Sequence, residues 1–236
     1  MLSFAPAAAP SKLNVVLWGP SGAGKTYTGL AIAHQLGQRV AVVDTEHGAS
    51  SLYAARFPAD MAEMAPPFSP EQFIEAIRMV EAAHYDVILF DSLSPEWDGP
   101  GGCLDILAGI QKRGVKGARA WRDVTPRHEA LLGAINRTPL SVIVTLREKP
   151  RVLLDTAEQT GKTQVTAGGP RAVMRERFEY EYDLVLHIDM QHRVTADKSR
   201  LFALREGTTG PADGSLLNAI AAAMHPERAL ASDPVS

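Results

Sequence analysis

The residues best suited to chemistry lie in a short glycine-rich segment near the start of the chain. The segment 19–26 reads GPSGAGKT and matches the pattern G-x-x-x-x-G-K-T of a phosphate-binding loop, or P-loop. Its glycines let backbone N–H groups surround a β-phosphate, Lys25 supplies a positive charge for the β- and γ-phosphates, and the Thr26 hydroxyl is a ligand for Mg²⁺. We therefore expect a site for ATP and Mg²⁺ that is formed by Gly19, Pro20, Ser21, Gly22, Ala23, Gly24, Lys25, Thr26 and Tyr27.

Two further segments place acidic residues directly after apolar runs. Asp91 follows the run 87–90, and a carboxylate in that position can hold Mg²⁺ together with Thr26. Asp44 and Glu46 follow the run 40–43. One of these two carboxylates could orient or deprotonate the water that attacks a γ-phosphate. Alternatively, Asp44 caps a turn and Glu46 is only solvated, and the spacing alone does not decide between these interpretations.

Apolar runs of strand length alternate with segments of helical periodicity, and this alternation indicates the fold class. The runs expected to form buried strands are 13–18, 40–43, 87–90, 141–144 and 184–188. Helices are expected at 25–36, from Ser69-Pro70, from Thr125-Pro126 and at 215–224. A weakly alternating stretch at 151–166, centred on Gly161-Lys162, predicts a hairpin. The pattern predicts an α/β fold with a mostly parallel central sheet flanked by helices.

The composition is that of a globular protein, with 236 residues of which 45% are apolar and 22% charged. Lys plus Arg is 24 and Asp plus Glu is 27, a net charge of −3, which excludes a strongly basic nucleic-acid binder but not a local basic surface. No apolar run approaches the ~20 residues that cross a bilayer, and the start of the chain lacks the basic segment of a secretory signal. We expect a cytoplasmic protein with no membrane partner, and one domain at 12–224 between an Ala/Pro-rich tail at 1–11 and a C-terminal tail at 225–236.

Several segments resemble the RecA family. The segment 43–49 with 52–54 resembles the part of RecA that follows the second core strand, and 91–93 resembles the end of its magnesium-binding strand. Over about residues 12–205 the chain resembles the small RecA- and RadA-like ATPases of phages, which consist of the core alone. The segments that carry this second resemblance are 91–94, 96–97, 99–102, Trp121, 125–128, 145–149, 178–183, 197–200 and Phe202.

This resemblance implies a RecA-like P-loop ATPase core with a C-terminal β-hairpin region. It assigns the activation of water to Glu46. It also implies hydrolysis of ATP that is stimulated by DNA, and a role in single-strand annealing or homologous recombination in a bacterial or phage-infected cell. The partners that the resemblance implies are single-stranded DNA, further copies of the chain in a ring or filament, and a single-strand-binding protein.

Two clusters of cations are candidates for contact with single-stranded DNA. The first contains Lys112, Arg113, Lys116, Arg119 and Arg122 around Trp121, and the second contains Arg171 and Arg175. Cations neutralise phosphates and an indole ring can stack on a base, a combination that suits single strands. In RecA-type proteins the DNA-binding loops follow the third and fourth core strands, where the resemblance puts these clusters. The alternative is a solvated charged surface with Trp121 anchored in the core.

Two more pairs of residues are candidates for contacts between subunits. Lys198 and Arg200 are expected just before the last core strand, where RecA-like proteins place cations that reach a neighbour's γ-phosphate; the alternative is a surface ion pair. Phe4 and Ala7 resemble the Phe-x-x-Ala element that links protomers of RadA-like recombinases, and the alternative is an inert tail.

The residues leave two other functions open. A P-loop phosphotransferase, or kinase, would use the arginine-rich stretch 171–177 as a lid over a small substrate. A regulatory ATPase of RecA shape would hydrolyse ATP without binding DNA.

Overall fold

The computed structural model describes residues 12–156, 163–212 and 214–224. Nine strands and six α-helices lie in this part of the chain. The strands are β1 (Asn14–Gly19), β2 (Val40–Asp44), β3 (Asp60–Glu63), β4 (Val87–Asp91), β5 (Ser141–Thr156), β6 (Thr163–Ala172), β7 (Leu184–Ile188), β8 (Arg193–Ser199) and β9 (Thr209–Pro211). The helices are α1 (Lys25–Leu36), α2 (Pro70–Ala82), α3 (Ser94–Asp98), α4 (Cys103–Lys112), α5 (Trp121–Arg137) and α6 (Gly214–Met224). None of the helices in the described ranges is long and apolar enough to cross a membrane.

The strands follow the order β3-β2-β4-β5-β1-β7-β8-β9, and β6 pairs with β5 outside this order. All neighbours from β3 to β7 are parallel, whereas β7–β8, β8–β9 and β5–β6 are antiparallel. The predicted α/β class, with a mostly parallel sheet flanked by helices, is confirmed. Strands β7 to β9 form the antiparallel region expected near the C-terminus, and β5 lies between the P-loop strand β1 and the Asp91 strand β4.

Two apolar cores cover the two faces of the sheet, which explains why the parallel strands are continuous apolar runs. One core contains residues from α2, α4 and α5 and the other contains residues from α1 and α6. Alternate residues of one strand point to opposite cores, so that Val16 joins the first while Val15 and Leu17 join the second. The sheet is therefore packed between two layers of helices. Because both of its faces are covered, functional side chains can reach a ligand only from the ends of the strands.

Helix α1 spans the predicted residues, but the predicted start of α5 at Thr125-Pro126 is wrong. The helix begins four residues earlier, at Trp121, and Pro126 lies inside it. Burial of Ala120 and Val124 against the core holds this additional turn. Pro126 lacks the N–H that would pair with the carbonyl of Arg122, but Arg122 is exposed and water can satisfy that carbonyl.

Strand β5 is much longer than the apolar run 141–144 that predicted it. It continues beyond the sheet and pairs with β6 from Glu148↔Ala172 to Thr156↔Thr163, which is the antiparallel hairpin expected in this stretch. Its predicted turn at Gly161-Lys162 lies outside the described residues, as do the two predicted tails, 1–11 and 225–236. The limits of the predicted single domain stay a prediction.

The two outermost strands of the main order are short and polar. The edge strand β3 has four residues, of which Asp60, Ala62 and Glu63 are exposed. The opposite edge strand β9 has three residues and ends at Pro211. Neither edge therefore offers a long apolar strand to solvent.

Candidate nucleotide site and candidate nucleic-acid interface

The P-loop connects the end of β1 to the start of α1. Gly22 and Gly24 have φ angles of 82° and 95°, a left-handed conformation that favours glycine. At Gly19 a Cβ atom would lie 2.1 Å from the backbone oxygen of Ile188 in β7, so glycine is required by the close approach of that strand. The sequence between these glycines therefore turns tightly enough to direct backbone N–H groups and the N-terminus of α1 towards a phosphate.

Lys25, the first residue of α1, folds its side chain back over the loop. Its Nζ donates hydrogen bonds to the backbone oxygens of Gly19 at 3.0 Å and Pro20 at 2.8 Å. Burial lowers the pKa of Lys25, and the carboxylates of Glu46 and Asp91 partly oppose this effect. A phosphate in the loop would give this ammonium group a direct negative partner.

Asp91 lies at the end of β4, only 2% exposed, and accepts hydrogen bonds from three hydroxyl groups. Thr26 Oγ1 lies 2.7 Å and Ser50 Oγ 3.0 Å from Oδ2, and Thr145 Oγ1 donates to Oδ1. Burial raises the pKa of Asp91 and the hydroxyl groups of Thr145, Thr26 and Ser50 counteract it. The structure brings the two predicted metal residues, Thr26 and Asp91, into contact. Their hydroxyl and carboxylate oxygens are the ligand types that Mg²⁺ prefers, so these residues fit the ion that a P-loop site requires.

The two carboxylates after β2 have different environments. Asp44 accepts the backbone N–H of Glu46 at 2.6 Å and that of Ser50 at 3.0 Å, so it caps the turn, as one of the two interpretations of the sequence had it. The Glu46 carboxylate extends away from this turn, where its Oε1 accepts the Nε–H of Arg147 at 2.9 Å. The side chains of Glu46 and Arg147 are 33% and 49% exposed. Glu46 is therefore the carboxylate of this segment that can reach a ligand.

P-loop residues line one cavity of about 630 Å³ together with Tyr27, Glu46 and Asp91. Its lining also contains Tyr53, and His192 and Pro211, two residues from the β7–β8–β9 region that sequence reasoning missed. A ring nitrogen of His192, Nδ1, lies 2.9 Å from the backbone oxygen of Ala23 and ties this region to the P-loop. The cavity thus combines polar groups that suit phosphates with aromatic rings that suit a nucleoside.

The first cationic cluster forms an exposed surface between α4 and the start of α5. Its members are Lys112, Arg113, Lys116, Arg119 and Arg122, all exposed. Among the residues that the structure describes, none of these five side chains has an ion-pair or hydrogen-bond partner. We call this set the α4–α5 basic surface; its cations are available to an external anion.

The two predicted arginines of the second cluster, in contrast, have acidic neighbours. Arg171, in β6, lies 3.8 Å from Glu176, and Arg175 lies 4.0 Å from Glu129 of α5. Both arginines lie where the β5–β6 hairpin rejoins the core. Such exposed pairs contribute ~0–1 kcal/mol, so an added phosphate can replace the carboxylate.

Trp121 lies at the edge of the α4–α5 basic surface and is half-buried. Its ring stacks on Trp97, with 6.0 Å between centroids and an interplanar angle of 18°. Trp97 is 9% exposed and belongs to the apolar core. One face of the Trp121 indole is therefore anchored in the protein, and any base would have to meet its remaining surface.

Two of the candidate intersubunit residues, Lys198 and Arg200, lie away from the cavity. Lys198 is in β8, within the last part of the sheet rather than before a final strand, and its Nζ donates to the backbone oxygens of Glu179 and Tyr182. Arg200 lies 3.0 Å from Asp183. Strand β8 runs antiparallel to β7, so its last residues lie beside the start of β7. Both cations are therefore at the end of the strands opposite to the end where the P-loop lies. Phe4 and Ala7 lie outside the described residues.

A buried polar cluster that the sequence analysis missed lies behind the Asp91 strand. Glu96 of α3 accepts hydrogen bonds from Cys103 of α4 at 3.1 Å and from His128 Nδ1 of α5 at 3.0 Å. The three ligand-type atoms lie within 4.8 Å of one another, a spacing that would suit a metal ion. The thiol and the imidazole already supply donors to Glu96, and burial with the nearby Glu96 charge raises the pKa of Cys103. The cluster is a hydrogen-bonded junction of three helices.

The P-loop, the adjacent Thr26–Asp91 pair and the mostly parallel sheet define a P-loop ATPase core. A family model described as AAA domain matches residues 11–214, and the chain belongs to this AAA domain family (AAA_24). A crystal structure of the RadB recombinase is similar to the chain with 17% sequence identity and a TM-score of 0.49, over 86% of each chain.

Proposed function

We propose that this P-loop ATPase binds single-stranded DNA and promotes annealing or homologous recombination as an oligomer, in a bacterial or phage-infected cell. ATP binds in the cavity lined by the P-loop and His192, with Lys25 at the phosphates and Mg²⁺ held by Thr26 and Asp91. Glu46 orients and deprotonates the attacking water, and the released phosphate leaves ADP in the site.

The observation that carries the DNA part of the proposal is the α4–α5 basic surface. Five exposed cations without partners among the described residues lie together on this surface, although the chain carries a net charge of −3. A single strand would neutralise them and release counterions. Along the chain, helices α3 and α4 connect the end of β4 at Asp91 to this surface.

The first experiment measures binding of a labelled oligo(dT) by fluorescence anisotropy at several salt concentrations. A variant with Arg113, Arg119 and Arg122 changed to Ala should bind more weakly, and its salt dependence should be flatter by about 0.7 slope units per lost phosphate contact, roughly 2 in total. The control changes three exposed arginines on other surfaces, Arg78, Arg137 and Arg205, to Ala, which removes the same charge.

Equal affinity and slope for the parent and the first variant would overturn the DNA proposal. In the same preparation, the ATPase rate with and without oligo(dT) tests stimulation by DNA. A protein that hydrolyses ATP at one rate in both conditions would instead be a regulatory ATPase without DNA binding. Transfer of phosphate to a small molecule would identify a phosphotransferase.

Assembly is tested through the two candidate pairs. If the tail links protomers, Phe4→Ala or deletion of residues 1–10 shifts the protein towards monomer in sedimentation velocity while its melting temperature stays constant. If Lys198 acts on a neighbour's γ-phosphate, mixing Lys198→Ala with Lys25→Ala subunits restores part of the ATPase activity at shared sites. Unchanged sedimentation, or no recovery at any mixing ratio, would refute the corresponding contact.

A further inference from the structure

Three side chains of types that bind metal ions converge behind the strand that ends at Asp91. Glu96, Cys103 and His128 belong to α3, α4 and α5, and all three are buried, with exposures of 0%, 0% and 1%. One carboxylate oxygen, the thiol sulfur and one ring nitrogen all lie within 4.8 Å of one another. Ligand atoms at about 2.0–2.3 Å from a tetrahedral zinc ion stand roughly 3.3–3.7 Å apart. The spacing of the cluster therefore brackets that of a zinc site.

The backbone brings these side chains together through approaches that depend on particular residues. At Gly102, which precedes α4, a Cβ atom would lie 2.6 Å from the backbone oxygen of Glu96, so glycine is required for the start of α4 to lie against α3. On α5, His128 lies between Val124 and Leu131 on the face that packs into the core. Helical periodicity predicts an apolar residue at that position, and an imidazole buried there needs a polar partner.

The three side chains offer four donor atoms to one ion. His128 Nδ1 lies 3.0 Å from Oε1 and 3.2 Å from Oε2 of Glu96, so both carboxylate oxygens face the ring nitrogen. Cys103 Sγ lies 3.1 Å from Oε1. Two oxygens, one nitrogen and one sulfur make up the four positions that zinc takes in structural sites. A thiol with an imidazole favours zinc over Mg²⁺ or Ca²⁺, which prefer sets of oxygen atoms.

The charges of the cluster also suit a divalent cation. A buried carboxylate needs a positive partner, and the nearby guanidinium group of Arg127 is bound by hydrogen bonds of 2.6 and 2.7 Å to Glu71. In the metal-free protein the imidazole of His128 therefore carries the charge that balances Glu96, at 3.0 Å. Burial and the charge of Glu96 raise the pKa of Cys103, so its thiol is protonated. Two protons, on Sγ and on Nδ1, thus lie between the three groups.

We propose that Glu96, Cys103 and His128 form a site for one Zn²⁺ ion, which shares no residue with the magnesium site of Thr26 and Asp91. The ion replaces the two protons: the Sγ–H and Nδ1–H bonds break, Sγ and Nδ1 bind the ion, and both protons go to solvent. Because one dication replaces two single positive charges, the buried cluster keeps its net charge. The ion ties α3, α4 and α5 together, and the last two are the helices beside the α4–α5 basic surface.

Cobalt(II) is the probe, because it replaces zinc in tetrahedral sites and gives a charge-transfer absorption band when a thiolate binds it. The full-length, untagged protein is produced in cells grown with added Co²⁺, so that the ion is present while the chain folds around it. Purification in excess Mg²⁺ keeps cobalt away from Thr26 and Asp91. The cobalt and zinc contents and the absorption spectrum are then measured, and Zn²⁺ affinity is determined by competition with a chelating dye.

The parent should contain one equivalent of cobalt plus zinc and show the thiolate band, which added Zn²⁺ removes. Cys103→Ser keeps a hydroxyl donor for Glu96 but has no thiolate, so the band should vanish. Its Zn²⁺ affinity should fall by more than the roughly 10- to 100-fold that loss of a ligand's hydrogen-bond partner costs. His47→Gln is the matched control, since it removes an exposed imidazole that lies 3.6 Å from the Glu63 carboxylate, and it should bind both ions as the parent does.

Two results would overturn the proposal. One is a parent protein that holds neither metal or shows no thiolate band, and this result does not depend on whether any variant folds. The other is a Cys103→Ser protein that keeps the band or the Zn²⁺ affinity of the parent. The measurements use neither ATP nor DNA, so a failure here leaves the proposed function unaffected.

Discussion

Replacing Glu46 by Gln should change the rate of ATP hydrolysis strongly and the free energy of unfolding only slightly, so the two effects can be measured apart. The substitution keeps the size of the side chain but removes its basicity and its charge. Loss of a positioned acid–base group slows a reaction by roughly 10² to 10⁴, equivalent to about 2.7–5.5 kcal/mol of activation free energy. The ion pair with Arg147 joins side chains that are 33% and 49% exposed, so its loss changes the free energy of unfolding by only ~0.2–1 kcal/mol.

The assay combines three measurements on Glu46→Gln: single-turnover hydrolysis of ATP, equilibrium binding of ATP, and urea unfolding. Hydrolysis should fall by at least two orders of magnitude, whereas binding and unfolding should remain near the parental values. The control is Glu63→Gln, which changes an exposed carboxylate at the end of β3 that lies near His47. If Glu46→Gln hydrolyses ATP at the parental rate, Glu46 does not activate the water and the assignment is refuted.

Two further predictions concern groups whose burial is visible in the structure. Burial lowers the pKa of Lys25 in the free protein and bound phosphate would raise it, so ATP affinity should be constant below the lowered pKa and fall as the pH rises through it. Calorimetry in two alkaline buffers with different ionisation enthalpies should show proton uptake, and a pH-independent affinity would contradict this reasoning. His128→Phe leaves the buried Glu96 without its imidazole donor and should lower the free energy of unfolding by about 3 kcal/mol. Urea unfolding measures this loss, and an unchanged midpoint would show that Glu96 does not depend on His128.

The local part of the nucleotide site could be predicted from the sequence because its signals are contiguous. The P-loop, the start of α1 at Lys25 and the end of β4 at Asp91 each depend on a few adjacent residues. Glycines with left-handed φ angles and a buried apolar run leave little choice of conformation. The parallel sheet followed from the same runs, since strands without polar positions must be covered on both faces.

The remainder of the site depends on contacts between distant residues. Arg147 and Glu46 are 101 positions apart, and His192 and Ala23 are 169 apart, so no spacing pattern relates them. The start of α5 was predicted too late because a proline normally opens a helix, whereas tertiary packing of Ala120 added a turn before it. These contacts and this helix start depend on residues that are close in space but distant in the sequence, so a pattern of adjacent residues does not predict them.

The short polar edges of the sheet limit how copies of this chain can join. An edge strand with free N–H and C=O groups can be extended by another chain, but β3 presents Asp60 and Glu63, and β9 ends at Pro211, which has no N–H to donate. Two β3 edges brought together would place like charges side by side, and β9 is too short to hold a partner strand. Subunits of a ring or filament would therefore not join through these two edges, and contacts through side chains, loops or a docked tail can open and close without disturbing the sheet.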